Sequence, residues 1–318
     1  MILGFGFSLI VSVLFAVYAV PRKFSKQNVI LYTMWMGIAY FFGTIVLISI
    51  IWGFGLETPE NLLNPWHLLT VLRGFIWVLG MAAYNLAIDK IGLTRFNQWK
   101  NIQGPVGSLL ILFIIADMTS PIKVLFLLLG MTIMFCSALL FQIKTETEDK
   151  IKNQLDKNVL KGILFALFSG VCFGFSALFN SIVSRPAIVG DRFTFAQLLY
   201  HSLSLIVFSV IFYMITGNKP SEPSTVNQRL KEIFVINKQT WLPFTSGAMF
   251  LCATLLTIYS YRMIPNAVAW SITQLNVFWT ILIGVFIFKE VNYKQHWLRL
   301  FAGVLMAVGA CYMLYLAI

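Results

Sequence analysis

Acidic side chains are scarce in this 318-residue chain, with 12 Asp and Glu against 23 Lys and Arg, and none of them falls deep inside an apolar stretch. Charged residues make up only 11% of the whole while 59% are hydrophobic, and the mean hydropathy is +0.83. So little charge spread through so much apolar sequence excludes an ordinary water-soluble domain. The four cysteines, Cys136, Cys172, Cys252 and Cys311, lie inside apolar runs without paired spacing, so neither a disulfide framework nor a zinc site is expected. Walker A, H-E-x-x-H and G-x-S-x-G segments are all missing, which gives no ground for ATP hydrolysis by this chain or for intramembrane hydrolysis. No enzyme activity, metal or cofactor is expected.

What the chain has in abundance is apolar runs of about 20 residues, the length that crosses roughly 30 Å of hydrocarbon. Ten of them lie near 2–20, 31–53, 69–88, 93–115, 122–143, 160–183, 193–216, 241–261, 265–288 and 295–317. The expected fold is an all-α polytopic membrane protein with ten transmembrane helices. Two polar connections, 144–158 and 218–239, are too short for a separate domain and read as solvated linkers. Basic residues such as Arg22, Lys23, Lys26, Lys90, Lys150 and Lys289 gather in the loops after helices one, three, five, seven and nine. The opposite face has only Arg73, Lys123, Arg185, Arg192 and Arg262. Retention of Lys and Arg in the cytoplasm then puts both termini outside it. The basic face also attracts anionic headgroups of the lipid bilayer, which accounts for the net charge of +11 without a nucleic-acid partner.

Sliding the chain against itself exposes a repeat. At an offset of 173 residues, Gly74 meets Gly247, Leu109 meets Leu282, Asp117 meets Glu290 and Gly130 meets Gly303. At 158, Gly4 meets Gly162, Phe15 meets Phe173 and Ala19 meets Ala177. The expected organisation is a first five-helix repeat over 1–143, a charged linker over 144–159 and a second five-helix repeat over 160–318. Five is odd, so the second copy enters from the opposite side and the two form a five-plus-five inverted repeat. Exchanging the conformations of such halves alternates access to a site near the midplane.

The sequence's candidate site follows from where polar groups interrupt the apolar runs. The absence of mid-membrane carboxylates disfavours a carrier of polyvalent cations and an acid-dependent multidrug antiporter. Asp117 and Glu290, paired by the repeat, are either solvated helix ends or gates. The fourth run carries Asn97, Gln98, Lys100, Asn101 and Gln103, and the i, i+3, i+4, i+7 spacing of Asn97, Lys100, Asn101 and Gly104 puts them on one face. The matching part of the ninth run holds Trp270, Ser271, Thr273, Gln274 and Asn276. Such amides and hydroxyls flanked by indoles suit a sugar or polyol, because amides both donate and accept while aromatic faces pack on C–H faces. Interhelical hydrogen bonding is the alternative reading. A cation such as Lys100 at helix centre costs about 2.5–3.5 kcal/mol on insertion scales. It either snorkels to the basic face, contacts a ligand or serves coupling. His201, the only histidine within a span, titrates near neutrality when unperturbed and is a candidate proton carrier or a structural histidine. Trp35 and Tyr32, with Trp77, Tyr84 and Asn85, are further candidates for the cavity wall. Gly170 and Gly174, in GVCFG, read as a close helix-packing motif.

Ten helices in two inverted halves, with SITQLNVFWTILIGVFIFKE running into LFAGVLMAVGACYMLY, resemble the drug/metabolite transporter superfamily. AVYAVPRKFSKQNVILYTMWMG and GFIWVLGMAAYNLAIDKIGLTRFNQW, together with S-x-x-Q-L in the ninth run, make the chain similar to its glucose/ribose porter and rhamnose permease branch. The resemblance implies uptake of a monosaccharide, with protons as the coupling ion, by a permease of the bacterial cell inner membrane. Lys100 also resembles the phosphate-binding lysines of related organophosphate translocators, so an anionic sugar derivative is an alternative cargo. Export of small amphipathic metabolites competes with uptake as a transport reading, and a membrane sensor that moves no solute is the reading outside transport. The oligomeric state stays open.

Overall fold

The computed structural model describes residues 1–55, 64–91, 96, 99–115, 118–140, 157–185, 195–216, 226–236, 238–289 and 293–318. Among these residues the secondary structure is entirely helical. The helices are α1 (Ile2–Val17), α2 (Val20–Phe24), α3 (Val29–Gly53), α4 (Leu68–Ile91), α5 (Gln103–Ile115), α6 (Pro121–Leu140), α7 (Lys157–Val183), α8 (Phe195–Thr216), α9 (Val226–Ile233), α10 (Trp241–Met263), α11 (Asn266–Thr273), α12 (Asn276–Phe286) and α13 (Tyr293–Leu316). By length and composition, eight helical segments among the described residues can cross a membrane: Ile2–Phe24, Val29–Gly53, Pro65–Ile88, Asn158–Val183, Phe195–Ile215, Trp241–Met263, Asn266–Phe286 and His296–Leu316. Two shorter apolar helices, Gln103–Ile115 and Pro121–Ser137, stand where the fourth and fifth runs were expected. Residues 92–95, 97–98 and 141–156, which flank them, lie outside the described set, as do Asn97, Asp117 and Glu290. The chain is an all-α polytopic membrane protein.

Exposure runs opposite to that of a water-soluble protein. Phe42, Phe113, Leu164, Phe168, Val207, Phe301 and Val308 point outward, while Ser8, Thr44, Ser169, Ser204, Ser246 and Thr254 are buried. In lipid the outer face gains nothing by hiding apolar groups, so the helices are held together by close packing and interhelical hydrogen bonds. The packing pairs are α4 with α7 and α1 with α10, α3 with α8, and α6 with α13. In addition α5 lies on α7, while α11 and α12 lie on α1. The GVCFG segment of α7 is a close-approach motif as its spacing suggests. A Cβ at Gly170 would lie 2.7 Å from the Lys100 carbonyl, and one at Gly174 would lie 3.0 Å from the Gly107 nitrogen. These two glycines let α7 press against the backbone that presents Lys100 and Gln103.

Two spans are interrupted at equivalent depths of sequence. The expected ninth helix, 265–288, is divided into α11 and α12 by a turn at Gln274 and Leu275, where the amides of both bond three residues back, to Ser271 and Ile272, each at 3.1 Å. The cause is local competition for one acceptor: Thr273 Oγ1 donates to the Trp270 carbonyl at 2.7 Å and Gln274 Nε2 donates to it at 3.1 Å. A second turn, at Asn101 and Ile102, precedes α5. There Pro105 has no N–H to give the Asn101 carbonyl, which instead accepts from Gly104 N at 3.1 Å. The two turns are 173 residues apart.

Candidate functional site

The turn before α5 and the turn between α11 and α12 meet at the centre of the bundle. Gln103 Nε2 donates to Gln274 Oε1 at 2.6 Å, Trp270 Nε1 donates to the Gln103 carbonyl at 3.2 Å, and the hydroxyls of Ser108 and Ser271 pair at 2.7 Å. This polar seam fixes where the side chains on either side of it point.

On one side of the seam is a cavity of about 50 Å³, well below the roughly 300–1,000 Å³ of small-molecule sites, so a solute enters only if the helices around it part. Lys100, Gln103, Trp270 and Asn276, polar or indole positions named from the sequence, line it, and so does Trp77. Arg73, Ser176, Asn180, Thr254 and Thr257 line it too, and the sequence pattern did not single them out for a site. Arg73 carried a signal: it sits inside an apolar run, several residues beyond where a headgroup-level arginine would be. Asn180 and Ser176 gave none, since single small polar residues are common in membrane helices.

Aromatic rings form one wall. Trp77 and Phe250 are 4.9 Å apart between centroids, Trp77 and Phe173 5.7 Å, Tyr18 and Phe250 5.5 Å, and Phe15 and Phe250 6.0 Å. Residues at the repeat offsets enter the lining as pairs: Trp77 with Phe250 and Gln103 with Asn276 at 173, Phe15 with Phe173 and Tyr18 with Ser176 at 158. The Lys100 ammonium lies 5.6 Å from the ring centres of Tyr84 and Phe173 and 6.0 Å from that of Phe96, so aromatic faces hold it in place. Among the described residues no carboxylate side chain lines the cavity.

The remaining sequence candidates lie elsewhere. Asn101, Ser271 and Gln274 border a separate small crevice with Gly104, Met131 and Met134 on the far side of the seam. Asn85 sits toward the basic end of α4, accepting from Arg22 Nε at 3.1 Å and donating to the Met81 carbonyl at 2.8 Å. Trp35 packs with Phe244, centroids 5.9 Å apart, in a cluster with Met34, Tyr213 and Ile233. Tyr32 shares a 2.6 Å hydrogen bond with Ser246, which in turn donates to the Tyr18 carbonyl at 2.6 Å. His201 is fully buried one ring behind the cavity wall, its centroid 6.3 Å from Trp77, 5.8 Å from Phe250 and 5.6 Å from Tyr40, and neither ring nitrogen has a hydrogen-bond partner among the described residues.

A solved crystal structure of a protein superposes on this chain with a TM-score of 0.63, covering 98% of this chain and 95% of its own at 11% identity, a likeness of fold alone. No curated protein matches the sequence. A family model described as sugar transport protein matches residues 42–317, a stretch that contains most of the cavity's lining. The chain belongs to the sugar transport protein family.

Proposed function

We propose that the chain is a secondary carrier for a monosaccharide or related polyol, that the central cavity is its binding site, and that the two halves of the chain alternate in exposing it. The observation that carries this reading is the composition of the wall: an aromatic row for the C–H faces of a sugar, with the amides of Gln103, Asn180 and Asn276 beside it for its hydroxyls. Membership of the sugar transport family agrees with it.

The inverted-repeat organisation, 1–143 and 160–318 about a linker over 144–159, belongs to the same reading. It is supported by the paired turns at 101–102 and 274–275 and by paired lining positions from both halves. The packing pairs also exchange partners as such a repeat requires, α4 with α7 answering α1 with α10. Broken helices at a cavity in the middle of a bundle are a recurrent way to expose backbone groups to a transported solute. The drug/metabolite transporter superfamily, with its glucose/ribose porter and rhamnose permease branch, is the lineage this architecture favours. The excess of Lys and Arg in alternate loops favours a bacterial inner membrane orientation with both termini extracytoplasmic.

Proton symport is the proposed coupling. His201 is its candidate group, because its unpartnered ring stands against Trp77 and Phe250, where a change of charge would be felt through the wall. Proteoliposome uptake separates the parts of this reading. Labelled monosaccharide should enter saturably, accumulate under an inward proton gradient, and exchange against internal sugar without one. His201→Gln should lose accumulation and retain exchange, and undiminished proton-driven uptake by that variant would remove His201 from coupling. Binding without flux under every gradient would replace the carrier by a sensor.

A further inference from the structure

The cavity holds two cationic side chains and, among the described residues, no carboxylate to balance them. Arg73 is 6% exposed and Lys100 5%, so both are removed from bulk water and lipid alike. Nε and Nη1 of Arg73 are buried and have no hydrogen-bond partner among the described residues. The Lys100 ammonium has three aromatic faces around it and no oxygen acceptor among the described residues. Aromatic faces steady a cation without neutralising it, and a guanidinium with unused N–H groups is an incomplete site. A purely structural arginine or lysine in a membrane bundle is paired with a carboxylate or with backbone carbonyls. These two instead border the space that a solute would fill.

Their placement matters as much as their charge. Arg73 lies one helical turn before Trp77 on α4, while Lys100 lies beyond Phe173, whose ring is 5.7 Å from Trp77. The aromatic row therefore runs between the two cations. A sugar ring resting on Trp77, Phe250 and Phe173 would have a cation at either end and amides of Gln103, Asn180 and Asn276 along its side. A neutral hexose leaves both cations uncompensated. A hexose bearing one anionic group supplies a charged acceptor to the cation it reaches, and its ring hydroxyls can accept from the other.

We infer that the carried solute is an anionic monosaccharide, a sugar bearing a carboxylate or a phosphate, recognised by Arg73 and Lys100 at the two ends of the aromatic row. The inference rests on the reading of this cavity as the transport site and narrows its substrate class. It does not require Asn101, Ser271 or Gln274 to touch the solute, since these border the crevice on the other side of the seam.

The test uses the full-length protein in proteoliposomes, with counterflow of labelled glucose, glucuronate and glucose 6-phosphate measured side by side and ligand-induced thermal shifts read on the same preparation. The expected result is that one of the two acids is carried with a kcat/KM at least about tenfold above that of glucose, as loss of a charge-assisted bidentate contact would imply for the neutral sugar. Preference for glucuronate identifies a carboxylate, and preference for glucose 6-phosphate a phosphate. Lys100→Gln and Arg73→Gln should each reduce that preference, with Arg73→Lys preserving more of it than Arg73→Gln. Glucose carried well with both acids refused would overturn the inference while leaving sugar transport intact. Failure of all three sugars to move or to stabilise the protein would overturn the sugar-carrier reading itself. The wild-type comparison decides the matter even where a variant does not fold.

Discussion

The two halves of the chain contribute unequally to one cavity. In the first, Arg73 and Lys100 bring charge to its wall; 173 residues later stand Ser246 and Thr273, uncharged and committed to structure. Ser246 bonds Tyr18 and Tyr32, and Thr273 bonds the Trp270 carbonyl where α11 ends. The aromatic and amide positions are shared more evenly, Trp77 facing Phe250 and Gln103 accompanied by Asn276. A common framework thus shapes the space while one half alone sets its electrostatics. On the proposed inverted-repeat reading both halves must move to alternate access, while recognition of a small asymmetric solute needs them to differ.

Three substitutions probe this division, in order of expected effect. Gly107 on α5 lies against the Trp270 indole, and a Cβ there would already collide with the ring at Nε1. Gly107→Leu should displace Trp270 toward the cavity and reduce sugar flux by at least about a hundredfold, in line with the sensitivity of bound geometry to small displacements. Flux within twofold of wild type in a correctly inserted variant would show that the second half's indole does not border the transported solute. Gln274→Leu acts one step further back. It removes the acceptor of Gln103 Nε2, leaving a buried amide unsatisfied, and should lower stability by about 1–3 kcal/mol and raise KM severalfold with kcat nearly unchanged. An unchanged KM would mean that Gln103 is placed without help from the second half. Ser271→Ala loses one interhelical hydroxyl pair with Ser108 and should cost about 0.6 kcal/mol with transport kinetics unaltered. A large kinetic effect would bring the far crevice into the transport path.

Legibility from sequence differs by level. The helical spans are readable because lipid imposes length and apolarity on every crossing, and among the described residues eight helices long enough to cross fall within expected runs, with two shorter apolar helices at the fourth and fifth. The interruption of the ninth run is not readable. It has no glycine or proline at 274–275 to mark it, and arises from side chains of Thr273 and Gln274 competing for a single carbonyl. Within the candidate site, helical spacing puts Lys100, Asn101 and Gly104 on one face, but the turn at 101–102 breaks that face, leaving Lys100 and Gln103 at the cavity and Asn101 and Gly104 at the crevice. Asn85 has the right chemistry for a sugar ligand, yet its partner is Arg22, 63 residues away in sequence. Arg73 is legible as a charge but groups with the loop residues, because its burial depends on α8 and the surrounding bundle rather than on its own helix.

Whether one cavity built by both halves is reached from each side of the membrane in turn is decided by thiol accessibility at Asn276. With Cys136, Cys172, Cys252 and Cys311 replaced by serine or alanine, Asn276→Cys would be the single thiol, set in the cavity wall. Alternating exposure requires alkylation by a membrane-impermeant maleimide applied from either face of the membrane, slowed on both by the transported sugar. Alkylation from one face alone, unaffected by any sugar the protein carries, would contradict it.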